Sequence, residues 1–457
     1  MNIDKVHEHI DACREQDLEV WKDLIRIPSV AAKNIGVKEC CDALVDLLSG
    51  LGIKTQVFPT KGSPIVFGEL SCGKPDAKTI MFYGHYDVQP PDPLDQWNTP
   101  PFEPTIVNGR MYGRGSGDNK GQFLAHILAV RSYLQSGEGL PANVKFFLEG
   151  EEENGSKNVL DFIVPYKDLL KCDLVYNADG GMQPDGRPYI QFGVRGMLQA
   201  TLELTTATRD NHSGLKGGCI PSAAWEMVKF LNTLIDSDGN CAIEGFYDAV
   251  VPPTEYEMEL IDQLDFDKEA QMEVTGAKEI NLDKKDYFLN MMFRPTFNIN
   301  GLSSGYTGPG YRTIVTGSAV AKLDFRLVDA QDPLDIAEKL MRHVQKYRPD
   351  IKVTIGSQLL PSKTRPDLPE SQAVIRAVER GYGKKAVVMP STGATNPEYV
   401  FTKIAGLASV CVPYANADEQ NHAPNENMDV ELFYKGIHVS AEVIKEIGML
   451  SSAGEAE

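Results

Sequence analysis

The chain has 457 residues, 42% of them hydrophobic, and a formal charge of −19 at neutral pH. Its length exceeds that of a usual single domain and implies two, while the acidic balance argues against nucleic acid or an anionic membrane as a partner. No apolar run reaches the roughly 18 residues of a membrane span, the polar opening Met1-Asn2-Ile3-Asp4 lacks a signal-peptide core, and eight cysteines scattered without a C-x-x-C read as reduced thiols in a cytoplasmic setting.

In chain order, apolar residues recur at helical spacing over 4–27 and 37–51, and strand-like runs follow near 55–58 and 79–83. The second run ends in Gly84-His85-Tyr86-Asp87. On an extended backbone, residues i and i+2 share a side. His85 is therefore a candidate metal ligand and Asp87 the carboxylate that orients its ring. Next comes Gly113-Arg-Gly-Ser-Gly-Asp118-Asn-Lys-Gly121. Its spacing is not that of a phosphate loop, which would end in G-K-[ST]. The glycines instead let the backbone close around one acidic residue, Asp118. A helix follows, with Phe123, Ile127, Val130 and Leu134 on one face.

The apolar strand 144–148 runs into Glu149-Gly-Glu151-Glu152-Glu153-Asn154-Gly-Ser156, and 174–176 runs into Asn177-Ala-Asp179. An acidic run is usually a solvated face. These two follow buried-type strands, where open α/β sheets place their sites, and carboxylates so crowded call for a cation. A further strand-like stretch, 408–414, precedes Asp418-Glu-Gln-Asn-His422-Ala-Pro-Asn-Glu426. Imidazole and carboxylate without thiolate suit catalytic zinc, manganese or cobalt rather than a structural zinc site.

The pattern changes near Gly193. An alternating strand at 197–204 and strand-like stretches at 296–300, 313–328 and 351–355, with helices at 222–235 and 332–347, follow the order β-α-β-β-α-β of a ferredoxin-like unit. Residues 246–290 read as an acidic, irregular elaboration. The expected fold is α/β: a mainly parallel sheet with helices on both faces (1–192 and 362–457), carrying an inserted ferredoxin-like α+β domain (193–361). The tail 451–457 is small and acidic and reads as a frayed end. His7, His9, His126, His343 and His438 lie on helical patterns outside any motif and read as structural.

Together these motifs resemble the co-catalytic two-metal exopeptidase family of carnosinase, the cytosolic nonspecific dipeptidases, aminoacylase and the glutamate carboxypeptidases. The resemblance runs from Leu24-Ile-Arg-Ile-Pro-Ser29 through Trp97, Pro101-Phe102 and Tyr112 to the His422 segment, and Gly84-His-Tyr-Asp-Val-Gln-Pro90 points to the dipeptidase branch. It implies two divalent ions per subunit, zinc first, with manganese or cobalt as alternatives. His85 and Asp179 would hold one ion and Glu153 and His422 the other, with Asp118 bridging. It also implies a water between the metals and Glu152 as general base, chosen by the family's two glutamates before small residues; Glu151 is then a bystander, and Asn154 departs from a frequent serine. His212 matches a histidine that stabilises the oxyanion, in dimeric members across the interface. Taken without that match, it reads as a turn-capping or surface histidine. Arg326 matches the arginine that grips a substrate carboxylate, and Gly393 and Thr395 lie in the matching substrate loop, which departs from the family at Thr392 and Ala394.

The implied function is hydrolysis of the amide bond in dipeptides or short peptides with a free C-terminal carboxylate, by a homodimer whose inserted domain acts as a lid. The alternatives are an N-acyl or N-succinyl amino acid amidohydrolase, and a metal-binding homologue without catalysis. Glu152 speaks against the last, since a pure binder needs no base.

Overall fold

The computed structural model describes residues 2–450; Met1 and the tail 451–457 lie outside the described residues. The chain divides into two compact units. The first comprises Met1–Phe192, Thr364–Pro390 and Val400–Glu457, and the second Gly193–Lys363 and Ser391–Tyr399.

The first unit is built on an eight-stranded sheet: β1 (Lys54–Phe58), β2 (Ile65–Leu70), β3 (Thr79–His85), β4 (Asn143–Glu149), β5 (Leu174–Asn177), β6 (Tyr189–Gln191), β7 (Val387–Met389) and β8 (Ser409–Cys411), in spatial order β1-β2-β4-β3-β5-β8-β6-β7. Four of the seven pairings are parallel, and the contiguous block β4-β3-β5-β8 is parallel throughout. The sheet is therefore mixed, with the expected parallel arrangement in the middle and antiparallel pairings toward its edges. β3 and β4 are buried from their second residue onward, and β5 and β8 throughout. That is the property of parallel strands covered on both faces, and it explains their unbroken apolar runs.

Successive side chains of β3 show the two covers. Phe82 stacks on His126 of the helix Lys120–Gln135 at a centroid distance of 4.5 Å. Tyr83, pointing the other way, packs edge-on against Phe401 of the turn Val400–Ala405, centroids 5.1 Å apart. The helix Lys120–Gln135 is buried along most of its length. Two of its charged residues find partners inside: buried Lys120 donates to the carbonyls of Leu24 and Ile27, and buried Arg131 pairs with buried Asp17. The expected leading helix is two, Ile3–Ala12 and Arg14–Arg26, separated at Cys13, whose backbone leaves the helical region.

The second unit has a four-stranded antiparallel sheet in the order Thr296–Ser304, Ser318–Leu327, Gly196–Thr205, Lys352–Leu359. With helices Ala223–Asn232 and Pro333–Tyr347 this is the ferredoxin-like arrangement. Gly196–Thr205 alternates between buried and partly buried positions, and the buried set joins Met227, Phe230, Ile336 and Leu340 in one core. Two expectations need correction. Residues 246–290 contain three helices, Glu255–Gln263, Lys268–Thr275 and Lys284–Met292. Ser391–Tyr399 groups with the second unit, because Thr392 donates to the Gly193 carbonyl and Ala394 accepts from the Arg195 N–H.

Candidate metal centre

Because β4-β3-β5-β8 run the same way, their carboxyl ends share one edge, and the motif residues follow those ends. His85 closes β3, the 3₁₀ turn Glu152–Asn154 follows β4, Asp179 follows β5, and the His422 loop follows β8. Asp118 reaches the same place from the start of the helix Lys120–Gln135. That helix sits close to β3 because Gly84 has no side chain: a Cβ there would lie 2.5 Å from Phe123 Cβ. Asn119 then ties the ends together, accepting the His85 N–H (3.3 Å) and donating to the Ala178 carbonyl (2.6 Å).

Two clusters of ligand-type atoms result, His85 with Asp118 and Asp179, and Asp118 with Glu153 and His422. Within each, the atoms lie within 4.8 Å of one another, and Asp118 belongs to both. His85 Nε2 is 3.1 Å from Asp118 Oδ1 and 3.9 Å from Asp179 Oδ2. His422 Nε2 is 3.1 Å from Asp118 Oδ2 and 3.2 Å from Glu153 Oε2. The donor set is imidazole and carboxylate. His85 Nε2 and Glu153 Oε1 are buried without a hydrogen-bond partner, which fits atoms shaped to face a cation.

The electrostatics agree. Burial, then the charge of Asp118, pushes Asp179 up to about 6. Burial pushes Glu152 up to about 8; His85 opposes the rise, while Asp179, Glu149 and Asp118 add to it. Burial alone would raise Asp118 as well, but the His422 and His85 imidazoles beside it hold it below the usual carboxylate range. Hydrogen bonds to Asp118 and Glu153 raise His422 to about 10. Negative charge is in excess here, a condition that a divalent cation relieves.

The three consecutive glutamates point differently. Glu151 accepts from Asn158 Nδ2 (2.7 Å) and lies against Gly62. Glu153 takes Gln89 Nε2 (2.9 Å) and faces His422. Glu152 is the one whose surroundings are His85, Asp179 and Asp118. Asp87 sets this turn: its two carboxylate oxygens accept the N–H groups of Glu152 and Glu153, each at 3.1 Å. His85 Nδ1 lies 3.1 Å from the Asp87 carbonyl and 3.5 Å from its carboxylate. The ring is therefore oriented mainly by the backbone of Asp87.

The glycine loop cradles an anion, and the anion is the chain's own. Fully buried Glu426 accepts the N–H groups of Gly115, Gly117 and Asp118 at 3.0 Å, and Arg114 Nη1 at 2.8 Å. Neither Glu426 nor Asn119 was singled out from the sequence. Both act across long separations that no local pattern reveals. Glu419 was also missed: it is buried beside the loop, with Oε2 unpartnered, and burial followed by Asp118, Glu426 and Asp179 raises it to about 9.

In the second unit, Arg326, Gly393 and Thr395 come together. Arg326 Nη1 donates to Thr395 Oγ1 (2.8 Å), which in turn donates to the Arg195 carbonyl (2.8 Å). A Cβ on Gly393 would lie 3.5 Å from Arg195 Nη2. Arg195, not anticipated from the sequence, brings a second guanidinium whose Nε is buried and unpartnered. Asp324 Oδ2 lies 3.4 Å from Arg326 Nε, and burial followed by the charge of Arg326 lowers Arg195. His212, exposed in the same unit, accepts the Gly214 N–H through Nδ1 (3.0 Å).

The chain matches the model of Peptidase family M20/M25/M40 over residues 81–446. It belongs to that family of metallopeptidases. The Beta-Ala-His dipeptidase of Homo sapiens is 28% identical, over 98% of this chain and 93% of the relative. The Cys-Gly metallodipeptidase of Schizosaccharomyces pombe is also 28% identical, over 99% of each. Among solved structures, an M20 family metallo-carboxypeptidase from Sulfolobus solfataricus superposes with a TM-score of 0.82 at 36% identity, covering 95% of this chain and 99% of that one. Human carnosine dipeptidase 1 does so with a TM-score of 0.73 at 27% identity, covering 98% and 99%. These likenesses lie with the dipeptidase branch that the motifs resemble. Among the described residues no helix is long and apolar enough to cross a membrane.

Proposed function

We propose that this M20 peptidase hydrolyses the amide bond of dipeptides or short peptides that keep a free C-terminal carboxylate. The observation that carries this is the pair of ligand clusters joined at Asp118, with Glu152 beside them. His85, Asp118 and Asp179 would hold one divalent ion, and Asp118, Glu153 and His422 a second; zinc suits this nitrogen and oxygen set, as do manganese and cobalt. When bound, the ions supply an acidified water and a Lewis acid for the scissile carbonyl.

The rest is done by the chain. Asp87 fixes the Glu152–Glu153 turn through both backbone N–H groups. Glu152 takes the proton of the attacking water on its carboxylate and passes it to the leaving nitrogen. His212 accepts a backbone N–H at Nδ1, so its neutral ring carries the proton on Nε2 and offers a donor to the oxyanion. Arg326, with Thr395 and Gly393, receives the substrate's carboxylate; a guanidinium fork matches that group bidentately. Similar proteins are named as dipeptidases and as a metallo-carboxypeptidase, which supports this reading.

We further propose a cytoplasmic homodimer. Cys13, Cys40, Cys41, Cys72, Cys172, Cys219 and Cys241 are free thiols, as a reducing compartment favours. The second unit exposes Trp225, Val228, Ile299 and Leu302, apolar side chains suited to a partner copy. Mixing inactive Glu152→Gln and His212→Ala proteins under subunit exchange tests whether His212 acts across that interface; no regained activity despite exchange refutes it. The substrate reading is tested by comparing a dipeptide, its C-terminal amide and an N-acyl amino acid on metal-loaded protein. The free-acid dipeptide should give the highest kcat/KM, and equal values for acid and amide contradict the reading.

A further inference from the structure

Outside the carboxylate cluster, one group of side chains has a geometry that its own hydrogen bonds do not satisfy. His7 on the helix Ile3–Ala12 and His438 on the helix Val430–Met449 face each other, ring centroids 4.7 Å apart and inclined by 36°. Their Nδ1 atoms are 2.6 Å apart. The outer nitrogens are both anchored on carboxylates: His7 Nε2 on Glu442 Oε1 at 3.0 Å, and His438 Nε2 on Asp11 Oδ1 at 3.2 Å. Glu442 is held in turn through Oε2 by Arg380 (2.8 Å) and Lys445 (3.1 Å). Burial alone would raise Glu442, but the hydrogen bonds from His7, Arg380 and Lys445 outweigh it and keep it ionised.

An ionised carboxylate only accepts hydrogen bonds, so each Nε2 must carry a hydrogen. A neutral imidazole has one N–H. Two neutral rings anchored in this way therefore direct two lone pairs at each other across 2.6 Å, and that arrangement repels unless a cation lies between them. Carboxylates behind both rings are also what fixes the tautomer and raises the basicity of metal-ligating histidines.

We propose that His7 and His438 form a transition-metal site, separate from the carboxylate cluster, that takes a zinc-type divalent ion through the two Nδ1 atoms, with water completing its shell. A tetrahedral ion at 2.0–2.1 Å from each nitrogen needs about 3.3 Å between them. Both rings are partly exposed, with side-chain exposures of 25% and 21%, so an ion can enter and the torsions can open that far. Imidazole pairs select zinc, copper or nickel over magnesium or calcium. The site would clasp the first helix to the last, and both histidines, which read as structural from the sequence, acquire a binding role.

The test uses the full chain. In crystals soaked in micromolar zinc, anomalous scattering measured on either side of the zinc edge should show a peak between the two Nδ1 atoms. Absence of that peak, or its appearance only at millimolar zinc, overturns the proposal, whatever the carboxylate cluster binds. In solution, equilibrium dialysis should find one fewer zinc ion per chain in His438→Gln and in His7→Ala than in wild type. Dipeptide hydrolysis should stay within about twofold of wild type. Unchanged zinc content in both variants overturns the site, and because the crystal measurement uses wild type, it stands even if a variant folds poorly.

Discussion

Replacing Glu426 by glutamine probes the link between the fold and the candidate metal centre. The substitution keeps the shape and removes the charge on which Gly115, Gly117, Asp118 and Arg114 converge. Arg114 and Glu426 are both buried, with side-chain exposures of 1% and 0%, so solvent cannot replace the lost partner. Removing one member of such a pair costs about 3–5 kcal/mol. At about 2–4 °C per kcal/mol, that corresponds to a fall in Tm of about 6–20 °C in metal-free protein, and the length of this chain favours the low end. Because Glu426 also holds the Asp118 N–H, the variant should bind metal about 10–100-fold more weakly, as when groups behind metal ligands are lost. Scanning fluorimetry and a metal titration measure the two effects. A Tm within about 2 °C of wild type, together with unchanged metal affinity, would refute the role given to the glycine loop.

Glu152→Gln should keep its metal and lose about 10²–10⁴ in kcat, whereas Glu151→Gln, a residue tied to Asn158, should stay near wild type; the reverse outcome moves the base by one residue. Arg326→Lys should lower the preference for a free acid over its amide, since an ammonium cannot reproduce the fork, and Arg195→Lys should do so less; an unchanged acid-to-amide ratio in both places the carboxylate elsewhere. His126, stacked on Phe82, is held by burial down to about 3. The unfolded chain takes up this proton near pH 6.5 and the folded one only near 3, so His126 destabilises the fold progressively as pH falls through that window. The stability gap between wild type and His126→Asn should therefore narrow from pH 7 to pH 4, and a constant gap refutes the assignment.

The strands that carry the site were legible because burial on both faces leaves an unbroken apolar run, and β3, β4 and β5 each end where a ligand-type residue begins. What lay hidden depends on distance along the chain. Glu426 is some 300 residues from the loop it fills, and Arg195 meets Arg326 through Thr395, 200 residues away. The helices within 246–290 were obscured by acidic composition, although Thr254 and Glu257 form a capping box and Asp267 and Asp283 cap the next two. The alternation of Gly196–Thr205 and Ser318–Leu327 was plain, because one face packs on helices and the other does not. The antiparallel outer strands of the main sheet were not, since β6 and β7 are three residues each and too short for a pattern to show direction.

The measurement closest to the central claim is the metal content of purified wild type and Asp118→Ala, counted by elemental analysis after dialysis against zinc, with His438→Gln in both backgrounds to remove the histidine-pair site. Because Asp118 belongs to both clusters, wild type should hold two ions in the carboxylate cluster, and the variant should lose both or keep one weakly, with hydrolysis abolished. Two tightly held ions in Asp118→Ala, or full activity without them, would contradict the account.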